Sequence, residues 1–568
     1  MNKRKKQSHG PQIGTVIGNT SPQEYSFLLK SFSAKLGDIV VLEMEIPSEK
    51  QTTEAYPRES ILVWGRIVEL ERFNPFLPTE SAKELSEEGI DLLDTVLSYS
   101  QDQIQGQVLV LGSTPVDNLT DLVPLNYPIE PGSIVELPPA SKIKQILNGK
   151  EASARMKIGS LIGRRDVNVE LLTNVLVSRH MAILAMTGGG KTVASRQVIS
   201  ELLKINYPLL ILDPHGDYLG FWDKRDKFPD AEIKLYFPDI KVNEQNRDIV
   251  SYLISRMTRG YSEAQLEKYE DVLESVKINE KDNEKGIPIA DFINRVIRVV
   301  ESRMNENGDN NKMQNRTLSV VKRNLKNVLH HMEAMNTSNM QLRKRLSEYP
   351  FEAMPDPQSE PEQFIRPGRA SILYLGGYDH LTQSTIVSII LKSLFDVRAS
   401  MSNKIPPFFC IVEEAHNFIP SKGEGQAETP SVEIIRKIIT EGRKFGCGLL
   451  LVSQRPSRLD ETTLSQCNTF LIFRLVNPKD QTFIKSVMEN LTSSDAKLIP
   501  GFGPGQGIIS GQSVRFPLVI KVDFDEDLKP KTIGDEDFVE LVKKWDSSPG
   551  AEKIRRSEII EKGLDDLP

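Results

Sequence analysis

Cysteine is scarce in this chain of 568 residues, with only Cys410, Cys447 and Cys467. Three thiols so far apart fit neither a disulfide framework nor a metal knuckle, and they point to a reducing cytoplasm. Cys410 lies in an apolar run and reads as a small core residue. Long hydrophobic runs are missing too. No stretch reaches the ~18 apolar residues of a membrane-spanning helix, so no membrane association is expected. The cations Lys3, Arg4, Lys5 and Lys6 are not followed by an apolar stretch, which excludes a secretory signal and leaves a solvated tail. Positive charge is in deficit: Lys and Arg number 71 against 78 Asp and Glu, a net charge of −7. That argues against a protein that simply coats nucleic acid. It leaves open one that confines its cations to a single lining surface. What remains, 39% hydrophobic and 26% charged residues, is ordinary globular protein too long for one core.

Two grammars divide the chain. From Ile13 to about residue 138, short strands are punctuated by Gly, Pro, Asn and Asp. They are Ile13–Ile17, Tyr25–Leu29, Ile39–Met44, Ile61–Val68 and Gln107–Leu111. Such spacing without helical periodicity predicts a small barrel or sandwich. Asn74 to Ile104, with a helix-like segment around Ser81–Val96, interrupts it as an insertion. From Met181 onward, nearly continuous apolar runs alternate with helical stretches. The runs are Met181–Met186, Pro208–Leu212, Ser371–Leu375, Phe408–Val412, Gly448–Val452 and Phe470–Phe473. Runs of this kind are strands buried on both faces, the mark of an α/β fold with a parallel sheet covered by helices.

Between about 240 and 350 the strand grammar lapses and a helical insertion is expected. Leu318, Val321, Leu325, Val328 and Met332 recur at helical spacing, and further helices are expected at Ile249–Met257, Glu263–Val276 and Ile289–Met304. Its cations Arg316, Lys322, Arg323 and Lys326 suit a solvated face as well as a nucleic-acid contact. Beyond Ile499, the run from Gly501 to Gly507 leads into a hairpin ending near Val522. The expected domains are a basic tail (1–12), the β-domain (13–155), the α/β core (156–525) and a C-terminal tail or arm (526–568).

Chemistry concentrates at four strand ends. Met181–Met186 runs into Thr187-Gly188-Gly189-Gly190-Lys191-Thr192 and then a helix. Glycines let backbone N–H groups converge on phosphate oxygens, and the helix start adds partial positive charge. Lys191 would reach the β- and γ-phosphates of ATP, and Thr192 would ligate Mg²⁺. The usual first glycine of this pattern is Ala185. Phe408–Val412 ends in Glu413 and Glu414. In phosphate-loop motors the first such acid serves Mg²⁺ and the second polarises the attacking water. Gly448–Val452 ends in Ser453-Gln454. In motors of this class that strand lies between the phosphate-loop strand and the acid strand, so Gln454 would sense the γ-phosphate. The second strand ends in Asp213-Pro214-His215-Gly216, which puts Asp213 and His215 at the ligand edge of the sheet; a plain turn explains His215 nearly as well.

Two arginines pose a geometric problem. Arg179 precedes the phosphate-loop strand, and six residues of strand span roughly 20 Å. It cannot easily touch its own γ-phosphate. Arg443, ahead of the Gly448 strand, faces the same difficulty. Either could be a structural salt bridge; if either completes an active site, that site is a neighbour's, which requires an oligomer.

With these blocks assembled, the chain resembles HerA, the hexameric DNA translocase of archaeal DNA-end processing. The resemblance rests on Val177-Ser178-Arg179-His180, the phosphate loop, Asp213–Tyr218, Val412–Phe418, Glu441–Gly446, Ser453–Ser457, Leu464–Thr469 and Gly507–Gly511. It implies a RecA-like core related to the FtsK pumps and an N-terminal HAS β-barrel. It also implies a homo-hexamer acting on double-stranded DNA in end resection, double-strand break repair and homologous recombination, with a NurA nuclease partner. Carried over, Lys191 and Thr192 bind nucleotide and Mg²⁺, Glu413 and Glu414 serve metal and water, Gln454 is the sensor, and Arg179 and Arg443 are the arginine pair. The insertion at 74–104 and the basic tail match no feature of that family. The competing readings are a conjugation or defence pump, a nucleotide-gated scaffold for a nuclease, and a protein unfoldase.

Overall fold

The computed structural model describes residues 8–529, except 31, 48–57, 75–101 (but for 83, 86 and 87), 150–153, 239–240, 245–261 (but for 247 and 254), 308–311, 401–403, 422–428 and 489–490; residues 539 and 542 are also described. The basic tail through residue 7, nearly all of the Ser81–Val96 and Ile249–Met257 helices expected from sequence, and nearly all of the chain past 529 lie outside these residues.

The N-terminal strands β1 (Gln12–Ile17), β2 (Glu24–Leu29), β3 (Ile39–Pro47), β4 (Arg58–Phe73), β5 (Gln103–Pro115) and β6 (Ile134–Glu136) close into a barrel in the order β1-β2-β5-β4-β3-β6. Closure resolves the choice between barrel and sandwich, and it depends on β6, three residues long, which bridges β1 and β3. Alternation supplies the inner face: Tyr25, Phe27 and Leu29 of β2 are buried, as are Val40, Leu42 and Met44 of β3. β4 and β5 run further than the apolar pattern indicated, pairing from Ile61↔Pro115 out to Phe73↔Gln103. The interruption at 74–104 therefore opens from the far end of a long hairpin.

The second unit is built on a twelve-stranded sheet. Its strands are β7 (Arg155–Leu161), β8 (Asn168–Leu172), β9 (Met181–Leu184), β10 (Leu209–Asp213), β11 (Glu232–Phe237), β14 (Glu352–Ala353), β15 (Arg369–Tyr374), β16 (Phe408–Val412), β17 (Cys447–Ser453), β18 (Thr469–Ile472), β19 (Gln506–Gly511) and β20 (Leu518–Val522). The order is β14-β11-β15-β10-β16-β17-β9-β18-β19-β20-β7-β8. Neighbours from β14 to β18 are parallel, and those from β18 to β8 antiparallel. Each of the six apolar runs read from the sequence is a strand of the parallel part. β7, β8 and β11 went unread because polar residues alternate along them, as Lys157, Glu170 and Lys234 do.

Strand residues alternate between two cores. Ile183, Ile211, Ile411 and Leu450 join one, and Ala182, Leu184, Leu210, Val412 and Leu451 the other. The first is covered by helix α1 (Lys191–Lys204) through Ala194, Val198, Ile199 and Leu202. The second is covered by α5 (His380–Ala399) and α6 (Ser431–Phe445) through Ile386, Ile390, Leu394, Ile435 and Ile438. The barrel contributes Ile39, Val41, Leu62 and Trp64 to the first core. It is also tied to the second unit by a buried ion pair, Arg66 Nη2 to Asp495 Oδ1 at 2.5 Å, at the short helix α7 (Ser493–Leu498). Such a pair gives registry more than net stability, because desolvation offsets most of the attraction.

The insertion carries helices α2 (Glu263–Ser275), α3 (Ile289–Asn307) and α4 (Lys312–Arg345), with a two-stranded ribbon of β12 (Lys241–Val242) and β13 (Ile287–Pro288) at its base. It has its own core, in which Val272, Ile293, Val296, Val300, Leu318, Val321, Leu325 and Val328 meet. Arg316, Arg323 and Lys326 stand exposed on the opposite face, and Lys322 pairs with Glu301 at 2.9 Å. Among the described residues, no helix is long and apolar enough to cross a membrane.

Candidate functional site at the strand ends

The parallel strands β9, β10, β16 and β17 stop at one edge of the sheet, and the polar residues that follow them converge there. After β9 the chain turns through Ala185 to Gly190 into α1. Gly188 and Gly190 have φ of 76° and 114°, backbone that L side chains rarely adopt. A Cβ at Gly190 would also lie 3.0 Å from the Cα and N of Gly505. Ala185, at the usual first glycine, is fully buried and fits without displacing the loop. The first N–H groups of α1 have no partners within the helix and point into the turn, the arrangement that receives phosphate.

Lys191 opens α1, and its ammonium is held by both acids that follow β16. Nζ bonds Glu413 Oε1 and lies 3.1 Å from Glu414 Oε1. Burial works to lower its pKa, but the two carboxylates outweigh burial and hold it above the usual lysine range. Glu413 is fully buried, and burial raises its pKa against the pull of Lys191. Glu414 sits at φ 51°, a left-handed conformation costly for a side chain of its size. Its Oε2 makes no hydrogen bond among the described residues and lies 3.3 Å from His416 Nδ1. His416 Nδ1 is also 3.2 Å from Ser453 Oγ, and burial lowers its pKa against the attraction of Glu414.

β17 lies between β16 and β9, so Gln454 arrives beside the phosphate loop, where its Oε1 accepts the Thr187 hydroxyl at 2.6 Å. Thr187, Lys191, Glu413, Glu414 and Gln454 thus form one cluster. Thr192 is half-buried in the first turn of α1, and its hydroxyl makes no hydrogen bond among the described residues.

Asp213 departs from the sequence reading. It is fully buried, and its carboxylate accepts four backbone N–H groups: His215 at 3.2 Å, Gly216 at 2.7 Å and Asp217 at 3.1 Å on Oδ1, and Tyr218 at 3.0 Å on Oδ2. Burial, aided by Asp217, pushes its pKa up to about 7 against those donors. With both oxygens committed, Asp213 supports the loop from beneath instead of facing a ligand; His215 is exposed on that loop. The loop delivers Tyr218, whose hydroxyl donates to Glu413 Oε2 and lies 2.8 Å from Ser195 Oγ on α1. Burial, then the charge of Glu413, raises the pKa of Tyr218.

The arginines lie at the other edge. Arg179 caps the helix Thr173–Ser178 just before β9, and its carbonyl accepts Asn468 N–H at 3.2 Å. Its neighbour His180 is buried at φ 59° and accepts Leu449 N–H at 3.1 Å on Nδ1, while burial lowers its pKa to about 4. Arg443 is exposed in the last turn of α6, which leads into the start of β17. Neither guanidinium forms an ion pair among the described residues. The salt-bridge explanation therefore finds no partner for either among the described residues.

The sequence reading missed Tyr218, Ser195, His416 and the contact between two loops. Gly505 N–H donates to Gly189 O at 3.1 Å, so the glycine-rich 501–507 segment packs directly on the phosphate loop. Its density of glycine was the available signal of close backbone approach.

The family described as "Helicase HerA, central domain" matches residues 156–394. A probable helicase of Methanocaldococcus jannaschii is 28% identical over 98% of both chains. The DNA double-strand break repair helicase HerA of Pyrococcus furiosus is 26% identical over 94% of this chain and 96% of its own. Among solved structures, VirB4 of Thermoanaerobacter pseudethanolicus aligns with a TM-score of 0.46 and 14% identity, covering 67% of this chain and 98% of that one. The resemblance read from the motif blocks extends over nearly the whole chain.

Proposed function

We propose that this chain, similar to the HerA helicases from its barrel to its last strand, is an ATP-driven motor that moves double-stranded DNA through a homo-hexameric ring. The observation that carries this reading is the convergence of Lys191, Glu413, Glu414 and Gln454 at one sheet edge, with Arg179 and Arg443 left without described partners at the other.

The residues present fit a magnesium nucleotide. Two buried carboxylates are gathered on one lysine, and Glu414 Oε2 and the Thr192 hydroxyl are without hydrogen bonds among the described residues. Thr192 and Glu413 would hold Mg²⁺, which when bound neutralises phosphate charge. Lys191 leaves the carboxylates for the β- and γ-phosphates, and the glycine turn lends them its N–H groups. Freed from Lys191, Glu414 orients the attacking water and takes its proton. Gln454, already bonded to Thr187, senses the γ-phosphate.

A parallel sheet separates its two edges by the length of its strands, so Arg179 stabilises charge in a neighbour's pocket, and Arg443, at the same edge, shares that role. Rotational symmetry then leads to a closed ring. The double-strand break repair helicases it resembles favour a role in that repair, and the reading extends to DNA-end resection with a NurA-like nuclease as partner. Three buried free thiols suit work in the reducing cytoplasm.

Mixed rings test this arrangement. Arg179→Ala subunits and Lys191→Ala subunits should each be nearly inactive alone. Mixed under subunit exchange, they should recover part of the ATPase rate, since some intact pockets then sit beside intact arginines. A monomer that hydrolyses ATP at full rate and loses it on Arg179→Ala would place the arginine in cis and overturn the ring.

A further inference from the structure

We infer that Tyr218 is a positioning residue that fixes the metal-side carboxylate of Glu413 through the oxygen that Lys191 does not hold. The inference rests on the proposed role of Glu413 and deepens it.

Glu413 is fully buried, and its two oxygens have different partners. Oε1 meets the ammonium of Lys191, which must leave when phosphate arrives; Oε2 meets the Tyr218 hydroxyl. A glutamate has one more rotatable bond than an aspartate, so an acid of this length at a metal site needs a second anchor to hold its orientation. Tyr218 supplies it. The phenol is itself fully buried and cannot swing out to water. Its backbone is pinned by Asp213 through four N–H donors, one of them its own. Ser195 Oγ, one helical turn into α1, completes the grip at 2.8 Å from the phenol oxygen. With the tyrosine proton given to Glu413, the one serine proton is left to be shared between the Tyr218 oxygen and the Thr192 carbonyl, 3.1 Å from Ser195 Oγ. One aromatic side chain thereby ties the ends of β10 and β16 to the phosphate-loop helix. Lys191 can depart without Glu413 turning, so Oε1 keeps its orientation and would be available to Mg²⁺.

The test separates metal from nucleotide. Tyr218→Phe removes one oxygen and keeps the ring that fills the core. It should raise the Mg²⁺ concentration for half-maximal ATPase activity about tenfold, with turnover at saturating Mg²⁺ falling less than about threefold. Affinity for a fluorescent ATP analogue measured in chelator should stay within about twofold of wild type, while the tightening caused by added Mg²⁺ shrinks. Ser195→Ala should move the same quantities in the same direction by less, and it serves if Tyr218→Phe does not fold. Glu413→Gln, measured alongside, isolates the premise. If Glu413→Gln shifts the metal requirement and neither Tyr218→Phe nor Ser195→Ala does, the positioning role is overturned and the site assignment stands. If Glu413→Gln shifts nothing, the assignment of Glu413 falls and takes this inference with it. Equal loss of affinity with and without Mg²⁺ in Tyr218→Phe would reveal a general packing role and overturn the inference.

Discussion

Lys191→Ala is expected to leave less than about one hundredth of the wild-type ATPase rate, a loss of roughly 2.7 kcal/mol or more of transition-state stabilisation. The phosphate charge loses its principal protein cation, and among the described residues no other lysine or arginine pairs with Glu413 or Glu414. A second effect follows from packing. Lys191 neutralises Glu413 and Glu414, which are nearly or fully buried, and stripping the partner from a buried charge costs about 3–5 kcal/mol. Part of that cost is relieved if Glu413, whose pKa burial already raises, takes up a proton. The double variant Lys191→Ala/Glu413→Gln should therefore regain thermal stability while its turnover stays lost. Steady-state turnover and melting temperature, read together, separate the two effects. A folded Lys191→Ala protein retaining more than about a tenth of wild-type turnover contradicts the assignment.

Glu414→Gln is expected to bind ATP and not release it as product, with turnover down by roughly a hundredfold to a thousandfold. Glutamine keeps a carbonyl oxygen for Lys191 and fills the same volume, so the pocket survives. What disappears is the carboxylate that takes the proton of the attacking water. Labelled ATP retained on a filter, alongside phosphate release, measures both. Glu413→Gln should differ in kind, changing the Mg²⁺ requirement instead of trapping substrate. If Glu413→Gln trapped ATP while Glu414→Gln turned over, the two roles are reversed.

The uneven legibility of the chain has physical causes. Strands buried on both faces are apolar at most positions in succession, so β9, β10 and β15 to β18 are plain in the sequence. β11 near one sheet edge and the β7–β8 hairpin at the other carry polar residues at every second position and look like loops with occasional apolar residues. Barrel closure was not readable because it turns on β6, too short to have a pattern. At the site, Lys191 was legible from the glycine run ahead of it, and Glu413, Glu414 and Gln454 because each lies within two residues of the end of an apolar run. The Tyr218 hydroxyl was not, because its contact with Glu413 spans 195 positions and depends on β10 and β16 being neighbours. Asp213 is a different case. An aspartate at a strand end ahead of Pro214 and Gly216 is a local signal for a carboxylate that caps its own turn, and the pull of a ligand-edge reading obscured it.

The ATPase rate with and without linear duplex DNA, at rising salt and with the oligomer's mass determined in the same buffer, bears most directly on the claim that this chain is a DNA motor. A ring that slides along phosphates should be stimulated several-fold by DNA of any sequence, with stimulation fading as salt rises because phosphate contacts weaken through counterion release. Its mass should be that of a closed oligomer. A monomer whose ATPase rate ignores duplex DNA, or responds only to one short sequence regardless of salt, would contradict it.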